Sequence, residues 1–346
     1  MKKSLFILLA VLICTPMFSQ SDNSKGIRIV PLEKEQRVDI YIDGEVFTSY
    51  IYPANLEKPV LYPLKSSSGK YISRGFPLIP REGERIDHPH HVGLWFNYGD
   101  VNGLDFWNNS YAIPENEKQH YGSIVHKKIV KTSGGLKEGT LVVQCSWIDP
   151  EGNILLNEET TFIFSGNVEN RRIVRTTKLT AEKEVKMGDN KEGLIAIRVD
   201  RAFEQPSDKP EVFTDASGKA TDIPVLNNKG VNGAYKSSEG KEKDAVWGTR
   251  AKWVSLSAVK DNDSITLCLF DHPSNFGFPG HWHARGYGLF SLNNIGSKVY
   301  NPDDQEVKLV LSKGQSITFK HMFLIKSGGF ISEKELKKEW KNFSQK

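Results

Sequence analysis

Five of the nine histidines fall in two short windows, Asp87-His88-Pro89-His90-His91 and His281-Trp282-His283-Ala284-Arg285. Imidazole titrates near neutrality and can act as acid, base or metal ligand. If the fold joins the windows, they form a site that moves protons or holds a metal. The plainer alternative is a scatter of loop histidines, but the Pro, Trp and Arg beside them are what site loops carry. Proline biases its predecessor towards an extended backbone, which would place His88 and His90 on one face and His91 on the other. His281 and His283 have the same spacing, with Trp282 turned away. Two converging pairs would offer four nitrogens to zinc or copper, so His88, His90, His281 and His283 are the metal candidates. The motif is short and no carboxylate is fixed beside both pairs. No cofactor is therefore required, and a divalent metal is the one that the pattern allows.

The other chemistry is proton transfer with arginine support. Arg74 and Arg81 precede the first window, Arg198 ends a strand-like run, Arg250 follows Trp247-Gly248, and Arg285 closes the second window. Guanidinium groups clamp carboxylate or sulfate through paired hydrogen bonds. A uronic acid needs such a clamp, because removing its C5 proton drives charge onto the carboxylate. A His or Tyr serves as base while a second group protonates the leaving oxygen at C4. The candidate catalytic set is His88, His90, His91, His281, His283 and Tyr287. Trp95 and Trp107 could stack on the C–H face of a sugar, although most aromatics pack cores. Asp100, Asn102 and Glu192 complete the substrate-binding set, as partners for hydroxyls. The stretch Gly99 to Asp105 also reads as a plain turn or a calcium loop without full EF-hand spacing. Hydrolase and nucleotide motifs are missing. A glycosidase carboxylate pair has no local signature, and Glu192 and Asp200 are the acids to test for it.

The elements that must position these residues are strands. Val38, Ile40 and Ile42 alternate with polar residues, then Asp43-Gly44 supplies a type I′ hairpin turn before Val46 to Tyr52. Further strand runs are Leu141 to Trp147, Thr160 to Phe164, Ile173 to Leu179, Leu194 to Val199, Trp253 to Leu256, Val307 to Leu311 and Ile317 to Ile325. Asp149-Pro150-Glu151-Gly152-Asn153 is a second hairpin turn. Helical spacing is confined to the end, where Ser332 and Glu335 form a capping box ahead of Leu336, Trp340 and Phe343. Many short strands with Gly- and Pro-rich turns predict an all-β chain, a large antiparallel β-sandwich with a short C-terminal helix. Residues 204–243 are polar and poor in apolar pattern, and a loop that long is usually functional or mobile.

Met1-Lys2-Lys3 and the apolar run Ser4 to Cys14 read as a signal peptide over residues 1–19, leaving residues 20–346 as one β-sandwich domain. Val11-Leu12-Ile13 is a poor match to the small residues that precede a lipidated cysteine. The protein is expected to be periplasmic or secreted after signal removal, with no membrane span. The leader holds two of the 46 basic residues and none of the 42 acidic ones, so the mature chain is close to neutral. It carries no long basic run, and nucleic acid is not an expected partner. Cys145 and Cys268 lie within strand runs and read as buried free thiols.

Several stretches carry a resemblance: Arg74-Gly75-Phe76-Pro77, the window from Asp87 to Trp95, Gly99-Asp100-Val101-Asn102-Gly103, Lys191-Glu192-Gly193, Trp247 to Trp253 and His281 to Gly288. Over Tyr62 to Gly296 the chain resembles the PmoA-like family of secreted bacterial proteins. The methane-oxygenase label is set aside, because that chemistry takes place within a membrane. The resemblance implies a sandwich related to the galactose-mutarotase-like supersandwich, and an association with polysaccharide breakdown in Bacteroidetes-type bacteria. It supplies no catalytic residues. The expected protein is thus a carbon–oxygen lyase that eliminates water or a sugar at a uronic acid, with an acidic oligosaccharide as substrate. A mutarotase-like epimerase, a glycoside hydrolase and a non-catalytic carbohydrate-binding protein are the alternatives.

Overall fold

The computed structural model describes residues 25–346, so the expected leader lies outside the described residues. The first strands are β1 (Ile27–Leu32), β2 (Arg37–Ile42), β3 (Glu45–Ile51), β4 (Val60–Leu61) and β5 (Leu94–Tyr98). Four long ones follow, β6 (Ser123–Ser133), β7 (Glu138–Ile148), β8 (Ile154–Gly166) and β9 (Asn170–Ala181). Next come β10 (Val185–Met187), β11 (Gly193–Arg198), β12 (Ala234–Ser237), β13 (Trp253–Lys260) and β14 (Asp263–Asp271). The chain ends with β15 (His281–Arg285), β16 (Leu289–Asn293), β17 (Leu309–Leu311), β18 (Ser316–Lys326) and the helix α1 (Glu333–Ser344). Asp43 and Gly44 both take positive φ between β2 and β3, as a type I′ turn requires. The capping box at Ser332 and Glu335 starts α1. Val307 and Lys308, read as strand, lie ahead of β17.

Two eight-stranded antiparallel sheets make the fold. One runs β1-β2-β3-β4-β5-β11-β16-β15 and the other β12-β13-β14-β18-β9-β8-β7-β6, with a β10-β17 ribbon beside them. Alternation along each strand sends one set of side chains between the sheets. Phe96 of β5 meets Trp147 of β7 and Phe319 of β18, with centroids 6.4 and 6.0 Å away. Phe47 of β3 meets Phe164 of β8 edge-on. Cys145 and Cys268 are buried and unpaired in this structure.

A charged pair sits in that apolar layer. Arg175 of β9 lies over the rings of Phe96 and Phe162 and donates to Glu158 at 2.8 Å. Glu158 also accepts from Trp147 Nε1 and Thr160 Oγ1. Removing one member leaves the other charged and unpaired, which costs about 3–5 kcal/mol. Glu158→Ala is therefore expected to lower the urea midpoint by that much stability at unchanged m-value. A loss below about 1 kcal/mol would mean that Arg175 reaches water.

Candidate active site

The first sheet is apolar on both faces near its middle. Leu94 and Phe96 of β5, with Ile195 and Ile197 of β11, point to the partner sheet. Their neighbours Trp95 and Ala196 point outward, where Leu56, Val60, Tyr62, Val92, Trp107 and Leu289 cover them in a second, smaller core. The loops that bring those residues form the rim of a cleft of about 690 Å³ on the outer face. Ligand sites typically run to about 300–1,000 Å³, so one or two sugar rings would fit. Gly93 joins the first histidine window to β5 at φ +58°, and a Cβ there would run into the Leu61 carbonyl oxygen.

The histidine window does not run extended. His88 has φ +46° and its carbonyl accepts from His91 N at 3.0 Å, which closes a tight turn. Arg74 overrides the local proline bias. Its guanidinium is buried beneath the turn and donates to the carbonyls of Arg85, Asp87, His88 and His91 and to Asp87 Oδ1. The turn pairs different rings from those the spacing suggests. His88 and His91 stack at 4.8 Å with planes 2° apart, and His90 stands perpendicular to both.

Asp87 organises the turn. Its Oδ1 accepts from Arg74 at 2.8 Å and Arg198 at 2.6 Å, and its Oδ2 lies 2.8 Å from His88 Nδ1. Burial pushes the carboxyl pKa up, but Arg198, the His88 hydrogen bond and Arg74 hold it well below the usual carboxylate range. An ionised carboxylate only accepts, so His88 Nδ1 carries a proton, and in the neutral form of the ring the lone pair is the one on Nε2. That is the tautomer of a general base. Burial, reinforced by Arg198, lowers the Arg74 pKa to about 9.

The neighbouring rings are neutral donors and acceptors. His91 Nδ1 lies 3.2 Å from Arg198 Nη1, which can only donate, so the His91 proton sits on Nε2. His91 Nε2, His90 Nε2 and Trp95 Nε1 are buried without a hydrogen-bond partner among the described residues. Buried groups of this kind are rare and mark places where a ligand or water completes the bonding. Burial, then Lys58, hold the His90 pKa near about 2. Lys58 is itself buried, 5.9 Å from the Trp95 ring centre, and burial lowers its pKa to about 8.

The opposite wall comes from β15, the turn that follows it and the two residues just before β11. His283 lies 3.5 Å from Glu192 Oε2, and burial followed by Arg285 and Lys191 lowers its pKa to about 3. Glu192 also pairs with Lys191. Tyr287, in the β15–β16 turn, lies parallel to His88 at 5.1 Å with Arg198 against its ring at 4.7 Å. Burial raises the phenol to about 12, so it stays protonated at neutral pH. Arg285 rests on Trp247 at 4.6 Å and forms no ion pair among the described residues.

The cleft thus brings together His88, His90, His91, His283, Tyr287, Glu192, Arg285 and Trp107. Other expected residues lie elsewhere. Both His281 nitrogens are engaged, Nδ1 with the Gly248 carbonyl and Nε2 by Arg250 Nε, so the four-histidine set does not converge. Among the described residues no group of three His, Cys, Asp or Glu is placed to hold a metal. Arg74 and Arg198 support the turn from beneath and have no face in the cleft. Arg81 bonds Glu84 and Asp200, and Arg250 bonds His281 and the Gly277 and Pro279 carbonyls. Asp100 and Asn102 fix a turn against the Glu184–Lys186 backbone. Trp95 lies wholly behind His91. Asp200 pairs with Arg81 and Lys260 and does not line the cleft with Glu192.

Reasoning from sequence passed over Asp87, Lys58, Lys191, Asn108 and Asp244. Asp87 had a signal, a carboxylate beside the first histidine. The others had none. The polar segment after Glu204 does supply cleft wall, through Gln205 to Lys209 and Glu211.

The protein belongs to DUF6807, a family of unknown function whose model matches residues 37–341. The PmoA-like resemblance is met only at that coarser level. No curated protein matches the chain. Among solved structures it is similar to the GH36 α-galactosidase AgaB from Geobacillus stearothermophilus, at TM-score 0.41 and 11% identity over 87% of this chain and 41% of that one. A heparan sulfate lyase HepC mutant from Pedobacter heparinus follows at 0.37 and 10%, over 90% and 36%. The Slr1438 protein of Synechocystis sp. gives 0.31 and 8%, over 89% and 98%. This chain therefore spans about two fifths of the α-galactosidase.

Neutral buried histidines give the cleft an acid-labile stability. In the unfolded chain His90 and His283 titrate near about 6.5. Folded, they titrate near about 2 and about 3. As pH falls below about 6.5 the unfolded chain binds protons that the folded one refuses, so stability is lost. Each linked proton contributes about 1.4 kcal/mol per pH unit. The urea unfolding free energy is expected to fall between pH 6.5 and 5, and His283→Asn is expected to remove about one proton of that slope. An unchanged slope would place His283 in contact with solvent.

Proposed function

We propose that the protein is a carbon–oxygen lyase that eliminates the C4 substituent of a uronic acid within an oligosaccharide. The observation that carries this reading is the Asp87–His88 pair facing Tyr287 in the cleft that also holds an unpaired Arg285. Arg285 takes the carboxylate in two parallel hydrogen bonds and stabilises the charge that C5 deprotonation creates. The C5–H bond breaks and its proton passes to His88 Nε2, while Asp87 stabilises the resulting imidazolium. The C4–O bond then breaks, C4=C5 forms, and the Tyr287 phenol gives its proton to the leaving oxygen. A proton returned from His88 restores the phenol. A free hydroxyl at C4 leaves as water, whereas a glycosidic oxygen leaves as a sugar. The orphaned N–H of His91 and the edge of Trp107 are available to the ring hydroxyls and C–H face. A periplasmic or secreted location, expected from the leader, would bring such an enzyme to polysaccharide fragments.

The 3.5 Å approach of Glu192 to His283 favours a second reading, a mutarotase-like epimerase with Glu192 as base. Absorbance separates the two, because only elimination makes a conjugated unsaturated uronate. Purified protein with uronate-containing oligosaccharides is expected to give a steady rise in ultraviolet absorbance. His88→Ala should reduce the rate by about 10²–10⁴-fold, the usual contribution of a positioned general base. Absence of the chromophore, with intact substrate by mass spectrometry, would remove the elimination reading.

A further inference from the structure

A second, smaller hollow adjoins the cleft. It measures about 170 Å³ and lies between the Pro77-Leu78 loop, Pro89 and Tyr111. His90 lines both spaces. The hollow is below the usual range of about 300–1,000 Å³ for a free-standing ligand site, so it makes sense as an extension of its neighbour. Its walls differ in character from those of the cleft. The cleft carries Arg285, Lys191, Glu192 and other charges, whereas no Asp, Glu, Lys or Arg lines the hollow. Leu78 and Tyr111, 38% and 62% exposed, give it an accessible apolar rim. The polar groups that face it are Asn55, Ser110 and His90, whose buried Nε2 has no partner among the described residues.

From this charge partition we infer that the hollow is a subsite for a neutral sugar unit joined to the uronic acid held in the cleft. The inference rests on the proposed function and adds the order of units in the substrate, an anionic residue followed by an uncharged one. The C–H face of the neutral ring lies against Tyr111 and Leu78, and its hydroxyls reach His90 Nε2, Asn55 and Ser110. A charged unit there would lose hydration without gaining a counter-charge. An alkyl group would leave the polar atoms unanswered.

The test is calorimetric binding with two ligands that lack the C4 oxygen and so cannot be turned over. One is the methyl glycoside of a 4-deoxyhexuronic acid, the other the same unit linked to a neutral hexose. The disaccharide is expected to bind wild-type protein at least tenfold more tightly than the methyl glycoside. Tyr111→Ala and Leu78→Asp, both at exposed positions, are expected to reduce that ratio to about twofold or less. Arg285→Ala is expected to weaken both ligands together. Equal affinity for the two ligands, or a Tyr111→Ala loss shared equally by both, overturns the subsite while leaving the cleft assignment in place. An octyl glycoside that outcompetes the disaccharide assigns the hollow to an alkyl group and also overturns the proposal. Failure of both ligands to bind, together with a silent absorbance assay, removes the subsite and the elimination reading at once.

Discussion

Two buried guanidinium groups sharing one carboxylate are the contact on which the candidate site rests. Arg74 and Arg198 are 1% and 0% exposed, and both reach Asp87 Oδ1. Two cations buried side by side repel, and each has lost its hydration. The arrangement holds because Asp87 is charged and because four backbone carbonyls of the turn also point at Arg74. The turn cannot relax without leaving a buried charge unpaired, which would cost several kcal/mol. That constraint exceeds the roughly 1–3 kcal/mol of backbone strain at a non-glycine residue with positive φ, and so His88 stays at +46°.

The sheet supplies the second constraint. β15 is the edge strand of the first sheet, and of its outward side chains His283 and Arg285 line the cleft with the β4–β5 loop, while His281 is turned to Gly248 and Arg250. Trp282 and Ala284, on the alternate side, lock the strand into the main core. Trp95 does the same for β5 in the opposite direction, since its outward ring supports His91 at 5.2 Å. The two walls of the cleft are thus tied to rigid strands with opposite sets of side chains, and the loops between them set its width.

Much of this was legible in the sequence, for reasons that can be traced. Alternation gave the strands around Val38, Leu141 and Ile317, and it gave the outward pair His281 and His283, because a strand's period is local information. The same rule failed at His88 to His91, where Arg74, fourteen to seventeen positions away, supplies the hydrogen bonds that fix the backbone. Arginine type also reads ambiguously. Arg74, Arg198 and Arg285 are alike in sequence, yet two are buried under the turn and one faces the cleft, a difference set only by which strands become neighbours. The small hollow beside His90 had no signal at all, since Pro77, Pro89 and Tyr111 meet through tertiary packing.

The protonation pattern decides which chemistry these histidines suit. A metal needs lone pairs aimed at one point. His91 has committed its lone pair to Arg198 and His281 to Arg250, so the nitrogen left on each ring bears a hydrogen. His88 differs, because Asp87 holds its proton on Nδ1 and leaves the Nε2 lone pair directed away from the carboxylate. Burial keeps His90 and His283 neutral, so neither adds positive charge to the cleft. The Asp87–His88 hydrogen bond thus leaves an imidazole Nε2 without a partner among the described residues, beside rings that burial keeps uncharged. That geometry is what the proposed proton abstraction uses.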